Sequence, residues 1–111
     1  MISGEEILEI IRTYENHDWI MRRVLLTPAR RDLLKADAGR IFRDVPILDS
    51  DIDAAWFSRP PRPGGVTWEV RYLGKTPYAL LEKVDENGSE FEDVLASLVH
   101  RLKHAVAARQ A

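Results

Sequence analysis

Apolar positions recur at helical spacing near both ends of the chain and at sheet spacing between them. Ile7, Ile10, Ile11 and Tyr14 fall on one helical face. Ser3-Gly4-Glu5-Glu6 ahead of them reads as a capping box, in which the Ser3 hydroxyl accepts from the Glu6 amide and the Glu6 side chain reaches back. Asn16-His17-Asp18 suits the end of that helix. Toward the C-terminus Phe91, Val94, Leu95, Leu98, Val99, Leu102 and Val106 form the longest periodic stripe, predicting a long helix that opens on a second capping box at Ser89-Glu90-Phe91-Glu92.

The middle of the chain reads as strands and one short helix. Trp19 to Leu26 is compact, apolar and partly β-branched, as in a strand. Thr27-Pro28 is an N-cap followed by proline at the first helical position, where its missing amide hydrogen costs nothing; a short helix to about Ala36 follows. Asp37-Ala38-Gly39 interrupts it. Ile41 to Leu48 then reads as a strand that Pro46 confines to an edge or a bulge, so a parallel β-α-β crossover over residues 19 to 48 becomes available.

Ala54 to Ser58 and Val66 to Leu73 are two aromatic-rich strands joined by Arg59-Pro60-Pro61-Arg62-Pro63-Gly64-Gly65. Gly74-Lys75 suits a two-residue hairpin turn that returns along Thr76 to Val84. That turn sets a register in which Trp68 opposes Leu81 and Val70 opposes Ala79 on a core face, with Arg71 against Tyr78 and Glu69 against Leu80 on the other. The expected architecture is a single α+β domain over residues 1 to 111. It has a mixed, mostly antiparallel sheet of about four to five strands. An N-terminal helix, a short middle helix and a long C-terminal helix pack on one face of it.

Composition agrees with an ordinary folded domain: 111 residues, 45% apolar and 31% charged. With no cysteine, disulfides, thiolate nucleophiles and Cys-ligated zinc are excluded, and a cytoplasmic setting is the expectation. The longest apolar run, Val24-Leu25-Leu26, is far short of the roughly 20 residues of a membrane span, and no secretory leader is legible. A net charge of −2 favours neither a polyanion nor a membrane. Its distribution is uneven. Arg22, Arg23, Arg30, Arg31, Lys35, Arg40 and Arg43 are answered between residues 19 and 43 only by Asp32 and Asp37, whereas residues 44 to 53 carry four aspartates and no base.

Four groups of residues could carry chemistry. Arg59 and Arg62 lie on a proline-stiffened loop between Trp56 and Trp68, and with Arg71 and Tyr78 on the following hairpin they make the expected binding surface. Arginine and aromatic side chains on a preorganised backbone are what binding hot spots use. Alternatively, the tryptophans are core and the loop is a stiff connection. Asp49, Asp51 and Asp53 followed by Glu69-x-Arg71 resemble in outline the Asp then Glu-x-Lys carboxylates of magnesium-dependent nucleases. Arginine stands where that pattern has lysine, and aspartates of this kind commonly just order a turn.

His100 and His104 have the i, i+4 spacing of a metal pair, yet fall opposite the apolar stripe with no third ligand in reach of sequence reasoning. The basic segment 22 to 43 would suit phosphate contacts, against which stand the sequence pI of about 5.9 and the lack of any nucleic-acid-binding signature. No metal or cofactor is expected. The function expected is a non-catalytic module that binds a protein partner or itself. The alternatives are a metal-dependent hydrolase using the Asp/Glu cluster and a nucleic-acid binder using residues 22 to 43.

Overall fold

The computed structural model describes residues 2 to 110. In chain order its elements are α1 (Gly4–Asn16), β1 (Ile20–Leu26), α2 (Pro28–Leu33), α3 (Ala38–Phe42), β2 (Ile47–Asp49), β3 (Ala54–Ser58), β4 (Val66–Tyr72), β5 (Ala79–Val84) and α4 (Phe91–Gln110). The capping box at α1 forms in full, Glu6 N–H donating to Ser3 Oγ and Ser3 N–H to Glu6 Oε1. Thr27 caps α2 through its hydroxyl, with Pro28 at the first turn.

The strands make one mixed sheet in the order β2-β1-β3-β4-β5. β1 and β2 run parallel, as the crossover allows, and every other pair is antiparallel. The class is α+β. At the centre lies β3, all five of whose residues are buried. Ala55 and Phe57 face a core built with Ile7 and Ile11 of α1, Val24 and Leu26 of β1, and Ile41 and Phe42 of α3. Ala54 and Trp56 face a second core with Trp68 and Val70 of β4 and Leu95, Leu98, Leu102 and Val106 of α4.

The helices therefore do not share one face of the sheet as expected. A strand apolar on both faces exposes two surfaces to water unless each has its own cover, and the N-terminal helices supply one while α4 supplies the other.

Three local expectations also change. Ile41 and Phe42 belong to a second short helix rather than to a strand: both are buried against α1, and the strand is confined to Ile47–Asp49 after Pro46. The return of β4 into β5 does not turn on Gly74-Lys75. Leu73 N–H instead donates to the Asp53 carbonyl and Tyr72 N–H to the Tyr78 carbonyl, closing a loop over residues 73 to 77. The register moves by one, pairing Trp68 with Glu82, Glu69 with Leu81, Val70 with Leu80 and Arg71 with Ala79. Because side chains alternate faces, the slip carries Leu81 away from the α4 core and leaves it 60% exposed. At the head of α4, Glu92 does not close a box with Ser89; both its oxygens accept from the Arg23 guanidinium, a charge-assisted pair stronger than a neutral cap.

Coverage of the sheet is staggered. On one face α1 packs mainly on β1 and α3 and reaches β4 through the Tyr14 hydroxyl on Glu69, while Leu81 of β5 stands exposed; on the other, α4 touches β4 and β5. Among the described residues no helix is long and apolar enough to cross a membrane. Among the described residues the α4 stripe is the only helical contribution to its core, with Leu98 only 2% exposed. Leu98→Ala should cost about 2 to 5 kcal/mol of unfolding free energy in a denaturant titration. A loss below about 1 kcal/mol would show that this face of α4 is not core.

Candidate functional site

The expected binding residues separate into three places. Trp56 and Trp68 are each 2% exposed and meet edge to face, with ring centroids 5.9 Å apart, beneath α4. They are core, the second of the two readings their sequence allows. Arg59 lies over the Trp19 ring at 4.4 Å, and Arg62 is exposed beside it, on the rim of a depression lined also by Glu15, His17 and Asp18. Tyr78 is half-buried beneath the Arg109 guanidinium at 5.1 Å. Arg71 lies on the α1 side of the sheet, where its guanidinium donates to the Tyr72 carbonyl.

A bulge in β1 builds the cluster around Trp68. Between Met21 and Arg23 the register with β3 shifts, so Arg22 is the extra residue. Arg22 and Arg23 consequently both reach the Trp68 ring, at 4.9 and 5.6 Å from its centroid. Carboxylates answer both guanidiniums: Glu86 lies 3.7 Å from Arg22, and Glu92 pairs with Arg23. Glu86 also accepts from the indole N–H at 2.8 Å, and the bonds from Arg23 hold Glu92 below its ordinary carboxylate range. This is a clasp tying the loop before α4 to the sheet.

The possible metal ligands do not converge. Asp49 pairs with Arg31, Asp51 with Lys103, and Asp53 accepts from both the amide and the hydroxyl of Thr27. Glu69 accepts from the Tyr14 hydroxyl. Each carboxylate is thus committed to a different element, and among the described residues no group of three or more His, Cys, Asp or Glu side chains is placed to hold an ion. His100 and His104 touch on the exposed side of α4, with ring centroids 4.5 Å apart.

The basic segment is likewise answered from elsewhere in the fold. Arg22, Arg23, Arg30, Arg31, Arg40 and Arg43 each lie within salt-bridge distance of a carboxylate. A row of cations that already has its anions offers little to a phosphate backbone.

What remains is the α1 side of β4 and β5. A groove of about 630 Å³ runs there between α1 and the hairpin, with Ile2 and Ile10 at its base. Glu5, Glu6 and Glu9 stand on the helix wall; Arg71, Gly74, Lys75 and Pro77 stand on the hairpin wall. Beyond the groove lies the exposed Leu81. Further along α1, Tyr14 is stacked on Phe57 at 4.1 Å and donates to Glu69. Burial and the Glu69 carboxylate push the Tyr14 hydroxyl far above the usual tyrosine range. Sequence reasoning missed this surface because it assigned Leu81 to the core. The adjacent Glu82-Lys83 pair was the available signal, since adjacent charges on a strand mark it as lying at the margin of a sheet rather than in its core. No family model, curated protein or solved structure matches this chain.

Two measurements check these assignments. Asp53→Ala removes the acceptor for Thr27 and leaves Arg30, 5% exposed with Asp53 at 3.7 Å, as a buried charge without its counterion. Stability should fall by about 3 to 5 kcal/mol, and calorimetry of the parent with Mg²⁺ or Mn²⁺ should show no saturable heat. A folded variant that abolished a stoichiometric metal heat would restore the hydrolase reading.

For Tyr14, the phenol keeps its proton in the folded state above about pH 10, where the unfolded chain loses it. The folded state then holds more protons, so this contribution is complete below about pH 10 and is lost as pH rises further. Absorbance titration of the three tyrosines should show one lagging. Tyr14→Phe should remove that laggard and flatten the alkaline loss of stability.

Proposed function

We propose that this protein is a non-catalytic interaction module that takes another polypeptide, or a second copy of itself, on the open half of its sheet. One observation carries the reading: on this face Leu81 is exposed on β5, which is the outer strand of the sheet, and a groove opens nearby between α1 and the hairpin. A sheet edge offers unpaired backbone donors and acceptors to an incoming strand, while side-chain pockets beside it supply selectivity. Arg71 lies within this surface. Arg59 and Arg62 lie beyond the opposite end of β4 and would extend the contact only for a large partner.

Separation of Asp49, Asp51, Asp53 and Glu69 into distinct pairs also favours binding over metal-dependent hydrolysis, because among the described residues these carboxylates do not converge on a common point. The chain's lack of cysteine suits a reducing, cytoplasmic setting. Random peptides displayed against the protein should enrich extended sequences with alternating apolar residues. Leu81→Asp should abolish their binding without lowering the melting temperature, as the side chain is exposed. A selection that enriches nothing, from a protein that also stays monomeric in sedimentation, would remove the basis for this reading.

A further inference from the structure

The hydrogen bonds fix which side of β5 is open. Tyr72 N–H donates to the Tyr78 carbonyl, marking 72 and 78 as a hydrogen-bonded pair. Pairs of that kind alternate along an antiparallel ladder, so Leu80, Glu82 and Val84 also turn their backbone groups toward β4. The other side of β4 agrees, because Arg59 N–H donates to Thr67 O, which turns residues 67, 69 and 71 toward β3. Ala79, Leu81 and Lys83 therefore point their N–H and C=O groups outward, where the sheet has no further strand.

We infer that β5 pairs antiparallel with β5 of a second copy, about a two-fold axis through Leu81, giving one continuous sheet across a homodimer. This deepens the interaction-module reading and rests on it. The outward residues are symmetric about Leu81, so a register centred there is the one that engages all three from each chain. It sets Leu81 against Leu81 of the second copy and Lys83 against Ala79 of the second copy.

Charge selects the same register. Centring the axis on Glu82 or on Lys83 would oppose each to its own copy, and like charges directly across a ladder are destabilising. In the register centred on Leu81 the Lys83 ammonium instead stands opposite the uncharged Ala79, so no like charges face each other directly. In taking that place Lys83 gives up only a 3.4 Å bond to the Pro63 carbonyl.

The contact also covers the exposed leucine that the fold leaves beside the groove. Pairing one strand with its copy buries an area at the small end of specific interfaces, below about 1,200 Å², so the dimer is expected to depend on concentration. Sedimentation equilibrium of the full chain up to about 1 mM, where even weak association registers, is the measurement.

The parent should pass from monomer to dimer across that range. Leu81→Pro should remain monomeric and folded: its N–H faces outward, so proline deletes no bond to β4 and blocks only the edge. Should that variant not fold, Leu81→Lys is the second probe, since it opposes two lysines in the dimer and leaves the backbone intact. Ala79→Lys should weaken association by facing Lys83 of the second copy, while Leu33→Lys, at an exposed leucine on α2, should not.

A strictly monomeric parent would overturn the inference, as would a dimer that survives both substitutions at Leu81. Peptide binding by a monomeric parent would leave the interaction-module reading standing without self-pairing. A dimer insensitive to Leu81 would place self-association on another surface.

Discussion

A strand that is apolar on both faces is the constraint from which the rest of this structure follows. β3 cannot be satisfied by a single helical layer, so the chain must place helix on both sides of its sheet. It places α1 and the short crossover helices on one side and α4 on the other, each displaced toward a different edge. The offset buries the centre of the sheet twice and its margins once. One uncovered margin is the α1 side of β5, and its exposure follows directly from the shortage of helix.

The bulge at Arg22 shows how a single backbone irregularity serves the same constraint. Without it, alternation along β1 would send Arg22 and Arg23 to opposite faces, one of them into the apolar core around Ile7 and Phe57. With it, both guanidiniums lie over Trp68 and bind Glu86 and Glu92, while Met21 and Val24 still point into the α1 core. Two cations at the margin of an apolar layer thus become fasteners between β1 and the approach to α4. The same logic accounts for Arg30, whose charge is held beneath α2 by Asp53 and by the Ile2 carbonyl.

Most of the elements were legible in the sequence, because helix caps and apolar periodicity are local signals. Ser3 to Glu6, Thr27-Pro28 and the stripe from Phe91 to Val106 each specify structure within a few residues. The failures lie where a distant partner outweighs a local preference. Glu92 abandons Ser89 for Arg23, 69 residues away, and Leu73 abandons a tight turn for Asp53. Ile41 and Phe42 read as strand by their apolar character and become helix because α1 lies against them. The surface offered for binding was hidden by one such failure, since a register slip of a single residue decides whether Leu81 is core or exposed. Trp56 and Trp68, the most conspicuous residues in the sequence, proved to be interior for the ordinary reason that large aromatic rings gain most from burial.

The position of α4 has a consequence for how the chain reaches this state. Every strand of the sheet precedes it, and the helix contributes Leu95, Leu98, Leu102 and Val106 to the cover over Trp56, Trp68 and Val70. During synthesis those aromatic rings leave the ribosome before the helix that covers them. A chain cut between residues 84 and 91 would therefore carry all five strands with one greasy face bare, the kind of species that chaperones hold and that aggregates when they do not.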